Sequence, residues 1–318
     1  MRILFMGTPD FAKESLEKLY NSKHEIVGVV TTPDRPAGRG MKLLMSPVKE
    51  FAIQNNLLLF QPEKIANNEE FKNKIRNLNP DIVCVVSYGK ILPKSFLKIP
   101  KYECINVHPS LLPKYRGSAP IQWSILNGDT ETGVTIMYLN EKMDEGDIIL
   151  QEKVKIDENE TTGELWNRLS KVGARMLEEA VNKIEEGTAT RTKQGEEFSI
   201  APMLEKEMSK INWEEKTSAE IKNLVRGLNP IMGTYTFLND KKIKFWKVDV
   251  VKNIDEFEKS SKDQKPGTVI LSDSKKGLYI KTLDGIIEVL EIQGENAKRM
   301  NIYDFLRGNP IEIGAKFV

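Results

Sequence analysis

The residues with chemistry to offer open one short run, Ile105-Asn106-Val107-His108-Pro109-Ser110. Its apolar start reads as a strand, and strand alternation puts the Asn106 amide and the His108 imidazole on one face with Val107 on the other. Ligands of open α/β sheets bind outside the carboxyl ends of the strands, so both groups are expected to point into a cleft. A lone histidine is more often structural, and context has to raise its standing. Further along, the stretch from Leu139 to Ile149 forms a polar turn bracketed by two strands, which can return Asp144 to the same sheet edge. A carboxylate beside an imidazole orients the ring and raises its pKa, as proton transfer near neutral pH requires. The competing reading of Asp144 and Asp147 is a plain turn, since Asp-Glu-Gly-Asp is turn composition.

These groups need a scaffold to position them. The first two-thirds of the chain alternates short runs rich in Val and Ile with amphipathic segments, the pattern of parallel strands joined by helices. Strands are expected at residues 2–6, 26–31, 57–60, 82–87, 104–108 and 134–139, and helices at 11–20, 47–55, 69–78 and 121–126. Ser46-Pro47 marks a helix start, and Thr161 with Glu164 reads as a capping box that opens a long helix to about Ile184. From about Thr188 to Glu207 the residues turn polar, threonine-rich and charged, as in a linker. A helix at 218–227 then precedes short strands at 243–251, 267–271, 278–282 and 286–292, with turns at Asn239-Asp240, Ser272-Asp273 and Asp284-Gly285. The expected fold is an open, mostly parallel Rossmann-like α/β sheet over residues 1–187, a linker over 188–207 and a small OB-like β-barrel over 208–318.

Bulk properties narrow the function classes. A chain of 318 residues is long for one domain, and its 40% hydrophobic and 29% charged residues are those of an ordinary globule. No stretch approaches the roughly 20 consecutive apolar residues that span a bilayer. Met1 runs almost directly into the first strand, which leaves no room for a secretory leader and predicts a cytoplasmic protein. Cys84 and Cys104 each lie in an apolar run and read as small hydrophobes; with only His24 and His108 beside them, no metal site is expected. The net charge of +1 hides a modest asymmetry: from Lys206 to Val318 there are 20 Lys plus Arg against 17 Asp plus Glu, net +3. Such a balance permits a polyanionic partner without demanding one.

Three further segments stand out. Gly7-Thr8-Pro9-Asp10 after the first strand places free amides at a helix start, which suits an anion, yet the G-x-G-x-x-G dinucleotide fingerprint is absent and a mere connection is the equal alternative. The glycine-rich loop from Pro33 to Lys42 carries Arg35, Arg39 and Lys42, a set able to track RNA phosphates, with a solvated loop as the competing reading. Lys206 and Lys210 in the linker are candidates for RNA contact, a solvated charge pair being equally compatible.

Asn106, His108 and Ser110-Leu111-Leu112-Pro113 with Arg116-Gly117, followed by Asp144-Glu145-Gly146-Asp147, resemble the folate-dependent formyltransferase superfamily. The resemblance runs over essentially the whole chain, through Met6 to Phe11, Thr32 to Gly40, the Tyr88-Gly89-Lys90-Ile91-Leu92-Pro93 turn and Ala119 to Gln122. It implies transfer of the formyl group of 10-formyltetrahydrofolate, a co-substrate, to an amine without a metal. The Arg39 loop and the C-terminal barrel point to the methionyl end of an initiator tRNA as acceptor, with Arg39 at the acceptor stem. By the same resemblance Ser110, Leu111, Leu112, Pro113 and Tyr88 line the folate site; for the loop, leucines that simply join the core are the alternative.

Formyl transfer builds negative charge on the carbonyl oxygen, so the resemblance assigns Asn106 and protonated His108 to that oxygen. Asp144 then holds His108 and helps to take the proton released by the amine. A monomer is expected. The rivals are a formyltransferase for a small amine such as an amino sugar, and a catalytically silent RNA-binding module. The C-terminal extension and basic loop speak against the first. The joint presence of Asn106, His108 and Asp144 speaks against the second, because pure binding needs none of them.

Overall fold

Strand β1 (Arg2–Gly7) is buried on both faces from Ile3 to Met6, as a central parallel strand must be. The computed structural model describes residues 1–37, 42–253, 255–257 and 261–318, without the side chains of Ala37, Lys42 and Glu256. The strands that follow β1 are β2 (Glu25–Val30), β3 (Arg35–Ala37), β4 (Lys42–Leu44), β5 (Leu59–Phe60), β6 (Ile82–Val86), β7 (Cys104–His108), β8 (Arg116–Gly117), β9 (Glu131–Tyr138), β10 (Ile148–Lys155) and β11 (Ile200–Ala201). Seven of them form one sheet in the order β10-β9-β7-β6-β1-β2-β5. The strands from β7 to β5 run parallel, whereas β9 is antiparallel to β7 and β10 to β9. The chain works outward from β1 to β5 and then returns to β6, so the strand order reverses between β1 and β6, where open sheets bind ligands.

Helices α1 (Asp10–Tyr20), α2 (Pro47–Gln54), α3 (Glu69–Leu78), α4 (Lys94–Leu97), α5 (Pro120–Leu126) and α6 (Thr162–Glu185) connect these strands. Their starts follow the sequence signals. The Ser46 hydroxyl accepts from the Lys49 amide at 3.1 Å, and Thr161 and Glu164 bond reciprocally ahead of α6. Contacts divide the chain into two units, one of Met1–Pro120, Glu131–Lys155 and Trp166–Pro202, the other of Ile121–Thr130, Ile156–Leu165 and Met203–Val318. Of the stretch read as a linker, residues 188–202 pair inside the first unit: β11 runs parallel to β8, and Thr192 bridges Ile148.

In the second unit α7 (Ser218–Gly227) starts at a complete Thr217–Glu220 capping box. Strands β12 (Thr234–Leu238), β13 (Lys241–Val250), β14 (Val269–Asp273), β15 (Gly277–Lys281), β16 (Ile286–Gln293) and β17 (Met300–Asn301) form an antiparallel sheet in the order β12-β13-β16-β15-β14, with β17 on β16 and followed by α8 (Ile302–Gly308). Asn239 and Asp240 are both left-handed, the backbone a two-residue hairpin needs between β12 and β13. The final residues close the sheet into a barrel. Phe317 and Ala315 bond to Gly267 and Val269 beside β14, while Val318 exchanges two hydrogen bonds with Phe237 of β12. Trp213, Phe245 and Phe317 fill the interior beneath this closure. No helix among the described residues is long and apolar enough to cross a membrane.

Candidate active site

Packing enforces the alternation along β7. Gly173 of α6 lies so close to Val107 that a Cβ there would stand 2.8 Å from the valine Cγ1, so Val107 faces α6 and its neighbours face away. In the ladder with β9, Asn106 stands opposite Met137 and His108 opposite Thr135, which puts these four side chains on one face. His108 is buried, and its Nε2 donates to the Tyr115 carbonyl at 2.9 Å. A carbonyl only accepts, so that hydrogen bond fixes the ring with Nδ1 toward Asp144, whose Oδ1 is 3.7 Å away. The other Asp144 oxygen accepts from the Gly117 amide at 2.8 Å. The Asn106 amide is half-buried and has no hydrogen-bond partner among the described residues.

His108 and Asp144 are thus brought together, but by a different route from the one expected. The turn leaves β9 at Tyr138, opposite Ile105 near the amino end of β7, and folds back over the sheet face to bring Asp144 to His108 at the carboxyl end of β7. Two local features allow it. Asp144 adopts a left-handed backbone at φ 52°, and Gly146 lies against Tyr138 so closely that a Cβ would come within 1.6 Å of its carbonyl oxygen.

The loop after β7 is stiffened from within. The Thr135 hydroxyl donates to the Ser110 carbonyl at 2.6 Å and accepts from the Leu112 amide at 3.2 Å, while Gln151 Nε2 donates to both the Leu112 carbonyl and the Thr135 hydroxyl at 2.9 Å. The Ser110 hydroxyl donates to the Lys114 carbonyl. Ser110 and Leu112 are buried with these groups committed, Leu111 packs against Gly133, and Pro113 is half-buried. These residues therefore shape the loop more than they offer free polar groups. Tyr88 is buried in the core beside Phe96, and its hydroxyl has no partner among the described residues. Burial pushes that phenol up to about 12, so it stays a neutral donor. The Thr8 hydroxyl after β1 is likewise buried and unpartnered among the described residues, which places two orphan hydroxyls after the strands that flank the reversal of order. Burial also pushes the Cys84 and Cys104 thiols up, as befits small core hydrophobes.

Arg39 lies outside the described residues, as does the Lys42 side chain, whose backbone pairs with Ala37. Lys206 opens an exposed helical turn, and Lys210 is exposed with Nζ 5.6 Å from the Phe237 ring centre. Lys210 belongs to a larger surface that sequence reasoning missed. Tyr235 and Phe237 of β12 and Lys242, Lys244 and Trp246 of β13 alternate outward opposite the barrel core. Lys242 lies 3.6 Å from the Tyr235 ring centre, and Lys244 and Arg299 cover Trp246 at 5.3 and 5.1 Å. Lys242 and Lys244 have no carboxylate partner among the described residues, and burial together with the Lys242 charge holds Lys244 below the ordinary lysine range. Cations interleaved with aromatic rings suit a polyanion that carries stackable bases. A strand alternating Tyr-Thr-Phe was the available signal.

Known proteins share this architecture. The formyl transferase model matches residues 1–181, and the model of the formyl transferase C-terminal domain matches residues 203–310. The sequence is 51% identical over 315 residues, 99% of each chain, to the methionyl-tRNA formyltransferase of Clostridioides difficile. It is 43% identical over 315 residues, again 99% of each chain, to the methionyl-tRNA formyltransferase of Caldanaerobacter subterraneus subsp. tengcongensis. In fold it is similar to the N-formyltransferase from Helicobacter canadensis solved with folinic acid and dTDP-3-aminofucose, with a TM-score of 0.66 at 21% identity over 93% of this chain and 100% of that one. It is similar as well to HypX from Aquifex aeolicus in complex with tetrahydrofolic acid, with a TM-score of 0.64 at 18% identity over 100% of this chain and 50% of that one.

Proposed function

The chain belongs to the formyl transferase family, and on that premise we propose that it transfers the formyl group of 10-formyltetrahydrofolate to the α-amino group of methionyl-initiator tRNA, as a cytoplasmic monomer. Full-length identities of 51% and 43% to relatives named for that reaction favour tRNA over an amino sugar as acceptor. The N-formyltransferase solved with dTDP-3-aminofucose shares only the fold, at 21% identity. In this reading the first unit, which takes in residues 188–202 of the stretch read as a linker, holds the folate and the amine, and residues 208–318 bind the tRNA through the cationic, aromatic face of β12 and β13.

The observation that carries the reading is the meeting of His108 and Asp144 on the face where the unpartnered Asn106 amide stands. Asn106 supplies a preorganised donor for a carbonyl oxygen as charge develops on it. Because His108 Nε2–H is committed to Tyr115, the proton that the ring can take or give sits on Nδ1, beside the Asp144 carboxylate. That pair receives the proton lost by the attacking amine, which is available in neutral form because α-amino groups titrate at about 7.7 to 8.0, and yields it to the folate nitrogen that departs as its bond to the formyl carbon breaks. The orphan hydroxyls of Thr8 and Tyr88 and the free Asn106 amide suit a polar ligand such as a folate, held between the turn after Tyr88 and the loop from Ser110 to Pro113. The folate, when bound, supplies the activated formyl carbonyl.

The test measures formyl transfer from 10-formyltetrahydrofolate to charged initiator tRNA, free methionine and a dTDP-amino sugar in parallel. The charged tRNA is the expected acceptor. Comparable transfer to either small amine overturns the assignment.

A further inference from the structure

The Asp144 turn is gripped from its backbone side by residues that touch none of the reacting groups. The carbonyls of Asp144 and Gly146 both accept from Gln194 Nε2, at 2.7 and 2.9 Å. Oε1 of the same amide accepts from Arg116 Nε and Nη2, at 3.0 and 2.8 Å. Arg116 is itself buried, with its guanidinium carbon 4.7 Å from the centre of the Phe198 ring, and its Nη1 reaches Glu145 Oε1 of the same turn at 3.3 Å. Its backbone is fixed as well, since the Arg116 amide donates to Ser199 and the β8–β11 pairing continues through Gly117. One glutamine side chain thus uses both ends, its donors on the turn and its acceptor on a guanidinium anchored in the neighbouring strand.

Asp144 needs such a grip. Its left-handed backbone and the nearby Gly146 are intrinsically unfavourable or loose, and among the described residues its carboxylate is otherwise held by the Gly117 amide and the facing His108 ring. We propose that Gln194 is a positioning residue, which sets where the Asp144 carboxylate stands relative to His108 by binding the Asp144 and Gly146 carbonyls from an Arg116 anchor. The inference rests on the reading of His108 and Asp144 as catalytic. It also gives a task to the polar stretch after α6, which brings Gln194 back to the site from 50 residues along the chain.

The side-chain chemistry admits a sharp test. Glutamate at this position has the same length and still accepts from Arg116, but it has no hydrogen to offer the two carbonyls. Methionine keeps the length and loses both ends. Gln194→Glu, Gln194→Met and Asp144→Asn are compared with the unaltered protein for unfolding midpoint, for KM toward 10-formyltetrahydrofolate and charged tRNA, and for kcat. For Gln194→Glu both KM values stay unchanged while kcat falls roughly 10-fold to 100-fold, the scale on which supporting hydrogen bonds and small misplacements act, and the midpoint drops modestly because two carbonyls lose their donor; Gln194→Met falls at least as far. Near-wild-type kcat in Gln194→Glu overturns the proposal. So does a loss in both variants that comes with raised KM for both substrates, which marks general support of the fold. Asp144→Asn separates this failure from a deeper one: if it too keeps full turnover, the catalytic reading itself falls, whereas an impaired Asp144→Asn beside a normal Gln194→Glu removes only the positioning role.

Discussion

Asn106 and His108 share a face but differ in what their removal exposes. The Asn106 amide has no partner among the described residues, so truncation strands no buried group. Asn106→Ala should therefore lower turnover by about 100-fold to 1000-fold, the usual loss for one oxyanion donor, with the unfolding midpoint unchanged; steady-state kinetics and a thermal melt check both halves. His108→Ala is predicted to cost stability as well, because the Tyr115 carbonyl loses its donor in a buried setting. A deficit of about 1 to 3 kcal/mol is expected from denaturant titration, on top of lost activity. The residue types and their alternation were legible because β-strand geometry follows from three consecutive side chains. The partners were not. Tyr115 presents its carbonyl to His108 through a left-handed backbone at φ 61°, and Gln194 reaches the site from a stretch whose composition reads as linker. Both hydrogen bonds are made to main-chain oxygens, which carry no residue identity for a sequence pattern to reveal.

At the scale of elements, the site depends on two connections that lie over one sheet face, and each has a single weak point. Gly146 tolerates no side chain, since a Cβ would meet the Tyr138 carbonyl at 1.6 Å. Gly146→Ala should displace the turn and with it Asp144, so that activity drops steeply while the circular dichroism of the sheet and helices is retained. Thr135 is the corresponding point under the other loop. Its hydroxyl bonds Ser110, Leu112 and Gln151, and Thr135→Val keeps the shape while leaving the Ser110 carbonyl and the Leu112 amide short of a partner. A loss of about 1 to 3 kcal/mol in unfolding free energy is expected, together with a raised KM for the folate. The strands were readable because buried parallel strands are continuous apolar runs, and Ser46 and Thr161 announce the starts of two helices between them. β12 escaped because its alternation pairs threonines inward with aromatics outward, which inverts the usual polarity of a half-exposed strand. The short β8–β11 pairing escaped because two-residue strands have no period to detect.

For the whole molecule, the division of labour turns on what the second unit presents to a partner. Closure of its barrel by residues 315–318 was invisible in the sequence, since four residues at the end of the chain bridge positions 267–269 and 237. The two-residue hairpin sets β12 in register with β13 and so keeps Tyr235, Phe237, Lys242, Lys244 and Trp246 on one continuous outer surface. Lys242 and Lys244 are not neutralised by carboxylates among the described residues, so bringing phosphates to them displaces counterions from the nucleic acid instead of breaking internal ion pairs. The surface charge then has a thermodynamic signature that the catalytic residues lack. Lys242→Ala combined with Lys244→Ala should weaken binding of initiator tRNA and flatten the dependence of log affinity on log salt by about 1.4 to 1.8, at roughly 0.7 to 0.9 for each phosphate that is no longer neutralised. Folate binding should be retained, because both side chains project from the barrel and neither belongs to the first unit. Filter-binding titrations across a salt series read the slope directly. An unaltered slope in a folded double variant removes β12 and β13 from the tRNA interface, whatever the enzyme's turnover.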